Sequence, residues 1–129
     1  MAGNAPIVVG VDGSAGATTA VTWAAHTAAL HRAPLLLLHV VDVVADYGPG
    51  STEPLTATDY DRLAEHGRWL LGSATARAEE AAADLGGVEV RVELVQSPAT
   101  PTLLARSEGA RMIAVGTRDR GSLRRALLG

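Results

Sequence analysis

Met112-Ile113-Ala114-Val115-Gly116-Thr117-Arg118-Asp119-Arg120-Gly121-Ser122-Leu123-Arg124-Arg125-Ala126-Leu127-Leu128-Gly129 closes the chain. Its first four residues form a continuous apolar run, which reads as a buried strand. The run stops at Gly116 and opens into a loop carrying backbone donors, hydroxyls and arginines. In open α/β sheets ligands sit outside the carboxyl ends of the strands. A strand that ends in such a loop is chemically suited to hold phosphate. The same residues also read as a solvated basic turn leading into a helix.

Working outward, the same grammar recurs. Pro6 leads into Ile7-Val8-Val9-Gly10-Val11, a β-branched apolar run suited to a strand covered on both faces. It ends in the turn-rich stretch Asp12-Gly13-Ser14-Ala15-Gly16. From Ala17 to Ala33 the period changes to that of a helix. Ala17, Ala20, Val21, Ala24 and Ala28 share a narrow face of small residues that can lie close to a sheet, and Pro34 ends the helix. Leu35 to Val41 is a second buried strand, broken only by His39. Residues 42–57 hold two Pro and two Gly, and the length of this connection suggests a lid or a disordered loop.

Thr58 is the expected cap of a helix running to about Leu85, with Leu63, Leu70, Ala74, Ala78, Ala81 and Leu85 facing inward. Gly67 and Gly72 weaken it, and Gly86-Gly87 stops it. Val88 to Val95 alternates instead. Val88, Val90, Val92 and Leu94 share one face, while Glu89, Arg91 and Glu93 share a wet one, so this strand belongs at a sheet edge. Thr102 to Glu108 is a short helix, and the strand at Met112 follows. The order β-α-β-α-β-α-β predicts an α/β domain over 1–129: an open, Rossmann-like parallel sheet with helices on both faces and right-handed crossovers. The fourth strand is apolar throughout and was not built as an edge. The expectation is therefore that a fifth strand is missing from this chain, that another chain supplies the neighbour, or that the edge is exposed and sticky.

Composition narrows the chemistry. The 129 residues carry a net charge of −3, enough chain for one domain with a core. Residues 118–125 carry +3, so the remainder carries −6. An acidic body with one basic loop suits a small anionic ligand better than nucleic acid. There is no Cys, which removes disulfides, thiol nucleophiles and thiolate metal sites. There is no Lys, which removes the lysines of P-loops, Schiff bases and kinases. His26, His31, His39 and His66 lack the spacing of a helical metal pair, and His39 reads as a hydrogen-bonded core residue. Trp23 and Trp69 read as packing anchors. No apolar run reaches a membrane span and no leader opens the chain, so a cytoplasmic protein is expected.

These residues together resemble the universal stress protein family over essentially the whole length. Val8-Val9-Gly10-Val11-Asp12-Gly13-Ser14 resembles the family's first strand and turn, and Leu37-Leu38-His39-Val40 its second strand. Pro98-Ala99 ahead of Leu103-Leu104, then Ala110-Arg111-Met112-Ile113-Ala114-Val115-Gly116, resembles its third helix and fourth strand. ATP-binding members carry G-x2-G-x9-G-[S/T]. Gly116 fills the first position and Gly129 the third. Asp119 stands at the second glycine, and the final hydroxyl residue would follow Gly129. The family's fifth strand, through which members usually dimerise, would also lie beyond it.

The resemblance implies an adenine-nucleotide site holding ATP, with or without Mg2+. Asp12 would hold the ribose hydroxyls, a reading favoured over the local alternative of a turn-forming or capping Asp. Val40 would meet adenine through its backbone and Val11 would line the same pocket, both otherwise ordinary core residues. Val115 and Gly116 would back the ribose and first phosphate. Arg118 would reach a phosphate oxygen, and Gly129 would contribute to the phosphate cradle. Asp119 opposes this: two unit charges ~4 Å apart repel by about 4 kcal/mol at an effective dielectric of about 20.

Three functions follow. One is a regulatory module that binds adenine nucleotide without fast turnover, as a homodimer, away from nucleic acid and membrane. The second is a nucleotide-independent dimerisation or interaction module of the same fold. The third is an adenylating or pyrophosphate-releasing enzyme, which needs a glycine-serine loop that Asp12-Gly13-Ser14-Ala15-Gly16 matches poorly.

Overall fold

The computed structural model describes residues 4–41 and 56–116. In chain order they form β1 (Ile7–Gly10), α1 (Ala15–His31), β2 (Leu35–Val41), α2 (Ala57–Ala82) with a 3-10 turn at Ala83–Leu85, β3 (Val90–Gln96), α3 (Ala99–Ser107) and β4 (Met112–Ala114). The four strands make one sheet in the order β3-β2-β1-β4, and every pair is parallel. The expected fold class is the observed one. The 42–57 connection falls outside the described residues except for Thr56 and Ala57, and so does everything after Gly116.

Strand parity sorts the faces. Ile7, Val9, Val11, Leu35 and Leu37 join Val21, Ala24, Ala28, Leu70, Leu71, Ala74 and Ala78 in one core, so α1 and α2 cover that face. Both helices can lie close because they present alanines. Ala24, Ala25, Ala28, Ala78 and Ala82 are fully buried. The other face belongs to α3: a Cβ built on Gly10 would sit 3.8 Å from Leu103 and 3.9 Å from Val115. Arg106 of α3 reaches over the same face to Glu93 of β3.

Helix ends shift from the sequence reading for local reasons. α1 begins two residues early because Ser14 caps it, its Oγ accepting from Ala17 N at 3.1 Å. It ends at His31, where Arg32 turns left-handed and its N–H reaches back to the carbonyls of Ala28 and Ala29. α2 is capped by Thr56, not Thr58. Thr56 Oγ1 accepts from Asp59 N while Asp59 accepts from Thr56 N, a reciprocal pair.

β3 is an edge strand, as its alternation required. Val92 is nevertheless 55% exposed, although Val90 and Leu94 on the same face pack against the core. The two tryptophans correct the sequence reading outright. Trp23 is 51% and Trp69 67% exposed, so neither anchors the core.

Candidate functional site

The chain leaves β1 toward β2 and β3 on one side and returns to β4 on the other. The connection that leaves β1, through α1, and the one that leads into β4, through α3, therefore run on opposite faces of the sheet. In open α/β sheets such a switch in strand order is where ligands are taken, in the crevice outside the carboxyl ends of the strands. Five of the sequence-derived residues stand at that edge. The register pairs Gly10 with Leu38 and Val9 with Ala114. Continued by two residues, it sets Asp12 level with Val40 and Val11 level with Gly116. Arg118, Asp119 and Gly129 lie outside the described residues.

Val11 is 7% exposed and its side chain joins the α1/α2 core, so only its backbone faces the crevice edge. Its N–H donates to Leu38 O at 2.8 Å, extending the ladder one residue past β1. Its carbonyl lies 2.6 Å from His39 Nδ1. A carbonyl only accepts, so Nδ1 carries the hydrogen and donates.

Val40 is turned usefully by the same ladder. Leu38 O points to β1, whereas Leu35 N points to β3, where it donates to Glu89 O. Strand alternation therefore aims the N–H and C=O of Val40 at the β1 side. Regular β1 ends at Gly10, below that level. A planar base that needs one donor and one acceptor could be met there by Val40's main chain.

Asp12 is exposed, and its Oδ1 accepts from Ser14 N at 2.9 Å. The turn-forming reading is thus observed. It does not exhaust the group, since a carboxylate offers about four acceptor sites. Gly13 follows with φ +83°, a left-handed conformation that suits glycine, and packs over Leu70 of α2. Val115 is half-buried on the α3 face. Gly116 lies against the first turn of α1, where a Cβ would run into the backbone of Gly16 and Ala17.

That last contact bears on where phosphate could sit. The amino end of α1 is the phosphate site of many α/β enzymes. Here Ala17 N is already taken by Ser14 Oγ, and the Gly116 backbone closes over Gly16–Ala17. The arrangement disfavours a pyrophosphate loop after β1.

The sequence reading missed two participants. It took His39 as an ordinary hydrogen-bonded core residue, and the bond is there, but its acceptor lies at the crevice. It took Gly67 only as a weak point in a helix. A Cβ at Gly67 would strike the His39 ring and come within 2.7 Å of Leu94, so the glycine makes room for the imidazole. A lone polar residue inside an apolar strand was the available signal. Among the described residues no group of metal-ligating side chains is present, and no helix is long and apolar enough to cross a membrane. A hollow of about 520 Å³ lies at the opposite end of the sheet, among Arg32, Pro34, Gly86, Gly87 and Arg91. It opens at the amino ends of the strands, away from the switch point.

Comparison with known proteins agrees with this architecture. The model of the universal stress protein family matches residues 3–129. A universal stress protein of Mycolicibacterium smegmatis is 37% identical over 95% of this chain, and one from Mycobacterium tuberculosis is 36% identical over the same share. The chain spans 41% of the length of these relatives. Among solved structures, a universal stress family protein from Burkholderia pseudomallei superposes with a TM-score of 0.71 at 29% identity, covering 97% of this chain and 89% of that one. The Archaeoglobus fulgidus protein in complex with dAMP gives 0.69 at 22% identity, covering 96% and 90%. A universal stress protein in complex with cAMP gives 0.60 at 23% identity, covering 97% and 84%. The last two show likeness of fold. The parallel four-stranded order, the switch between β1 and β4 and the match along the sequence lead to one statement: this chain belongs to the universal stress protein family.

Proposed function

We propose that this domain binds an adenine nucleotide across the carboxyl ends of β1, β2 and β4 and works as a regulatory module without fast turnover. The observation that carries this reading is the placement of Asp12 and the Val40 main chain at one edge, level with each other beside the β1–β4 switch. Asp12 accepts from the ribose hydroxyls with the capacity Ser14 leaves, and Val40 meets the base. Val115 and Gly116 back the ribose and first phosphate. Arg118 and the Gly129 end of the loop serve the remaining phosphates. That two fold neighbours are complexes with cAMP and dAMP supports the ligand class. ATP is the expected nucleotide, and the module acts in the cytoplasm as a homodimer.

Equilibrium dialysis with ATP and AMP tests this. Binding that falls about 10- to 100-fold in Asp12→Asn, the loss expected for hydrogen bonds to a charged group, supports it. Failure of both nucleotides to bind would leave the second reading, an interaction module of the same fold without nucleotide. Asp119, at the position of a family glycine, is the observation that favours that second reading.

A further inference from the structure

We propose that His39 is a positioning residue for the crevice: its Nδ1–H, bound to the Val11 carbonyl, sets where Asp12 stands. The proposal rests on the nucleotide reading above and adds to it a residue that touches no ligand.

The argument begins with the peptide plane. The Val11 carbonyl and the Asp12 Cα belong to one planar unit, so fixing the carbonyl direction fixes the Asp12 Cα. β1 has ended as a regular strand at Gly10. The peptide before Val11 is still held by main chain, through Val11 N to Leu38 O. The peptide after it is held by a side chain, His39, at 2.6 Å and 28 residues away in sequence. β2 thus grips both sides of Val11, first by its ladder and then by an imidazole.

The cost of this arrangement is visible elsewhere. His39 is the one polar residue in Leu35–Val41, and a half-buried imidazole without a partner would be unfavourable there. Gly67 sits inside the long helix α2, where alanine would favour the helix by about 1 kcal/mol. Yet the volume of its missing Cβ is where the His39 ring lies. Two residues with poor local propensities therefore converge on one hydrogen bond, and its acceptor directly precedes the site's carboxylate.

Calorimetric titration of ATP and AMP into the wild type, His39→Leu, His39→Asn, Asp12→Asn and the Asp12→Asn/His39→Leu double variant tests this. Leu keeps the bulk and removes the donor; Asn carries an N–H near the Nδ1 position. The expected result is about tenfold weaker binding in His39→Leu and affinity within about threefold of wild type in His39→Asn. The double variant should bind about as weakly as Asp12→Asn alone, because His39 acts through Asp12. Should His39→Leu fail to fold, His39→Gln replaces it. Its amide reaches past the Nδ1 position, and it should bind more weakly than His39→Asn. Equal affinity of His39→Leu and wild type would overturn the proposal, as would equal affinity of the Gln and Asn variants. So would single effects that multiply in full in the double variant. A wild type that binds neither nucleotide overturns the site itself, a result distinct from a wild type that binds while the His39 variants bind equally well.

Discussion

Gly116 abuts the backbone nitrogen of Ala17, so the end of β4 is pressed onto the first turn of α1. No side chain fits between them. Gly116→Ala must push two backbone segments apart, an overpacking cost of about 1–3 kcal/mol. A thermal melt should show a midpoint several degrees lower. An unchanged midpoint would mean the contact is not made.

Two glycines of α2 should respond with opposite signs. Gly72 is exposed and a Cβ there meets nothing within 4 Å. Gly72→Ala should stabilise by up to about 1 kcal/mol through helix propensity. Gly67→Ala gains the same propensity but drives a methyl into His39 and Leu94, and we expect net destabilisation. Urea denaturation of the pair checks this, since equal shifts would show that the ring does not occupy that space.

At the other edge of the sheet, Arg106 holds Glu93 in a fork, Nε to Oε1 at 2.8 Å and the terminal nitrogen to Oε2 at 2.5 Å. Hydrogen bonding from Arg106 holds the Glu93 carboxyl below its usual value, against a smaller opposing push from burial. A depressed carboxylate stabilises the fold above the unfolded value and loses that contribution as pH falls through the folded one. Stability should therefore decline below about pH 4.5 in the wild type, with a shallower decline in Glu93→Gln. Both side chains are over a third exposed or close to it, so the effect is modest and shrinks in high salt. Denaturant midpoints from pH 3 to 7 read it directly; identical slopes would refute the link.

Trp23 and Trp69 give a spectroscopic check. Both are more than half exposed, and Trp69 stacks on His66 with ring centres 6.2 Å apart. Native fluorescence should already resemble that of indole in water and be open to acrylamide quenching. A blue-shifted, protected emission would contradict the exposed placement.

How far the sequence spoke for itself depends on the range of the interaction. The apolar runs at Ile7, Leu35 and Met112 and the alternation at Val88–Val95 are local patterns, and each gave its strand within two residues. The alanine face of α1 was equally local. The cap of α2 was misplaced because Thr56-x-x-Asp59 and Thr58-x-x-Asp61 satisfy the same rule, and only the packing of the helix chooses between them. The tryptophans misled because a large apolar residue carries no sign of which helix face it occupies when the core is lined with alanine. The roles proposed for Asp12 and Val40 rest on family resemblance, whereas Gly116 also stood out locally as the end of an apolar run that opens into a basic loop. The meeting of Val11, His39 and Gly67 joins three elements, and no local pattern encodes it.

The central claim concerns place: adenine nucleotide at the carboxyl ends of β1, β2 and β4. Amide chemical-shift mapping on the labelled protein, titrated with AMP and then ATP, tests it most directly. The account predicts saturating shifts at Asp12, Gly13, Val40 and Gly116, with Arg32, Gly86 and Gly87 at the far end of the sheet unmoved. Saturating shifts confined to that far end, or none at either end, would contradict it.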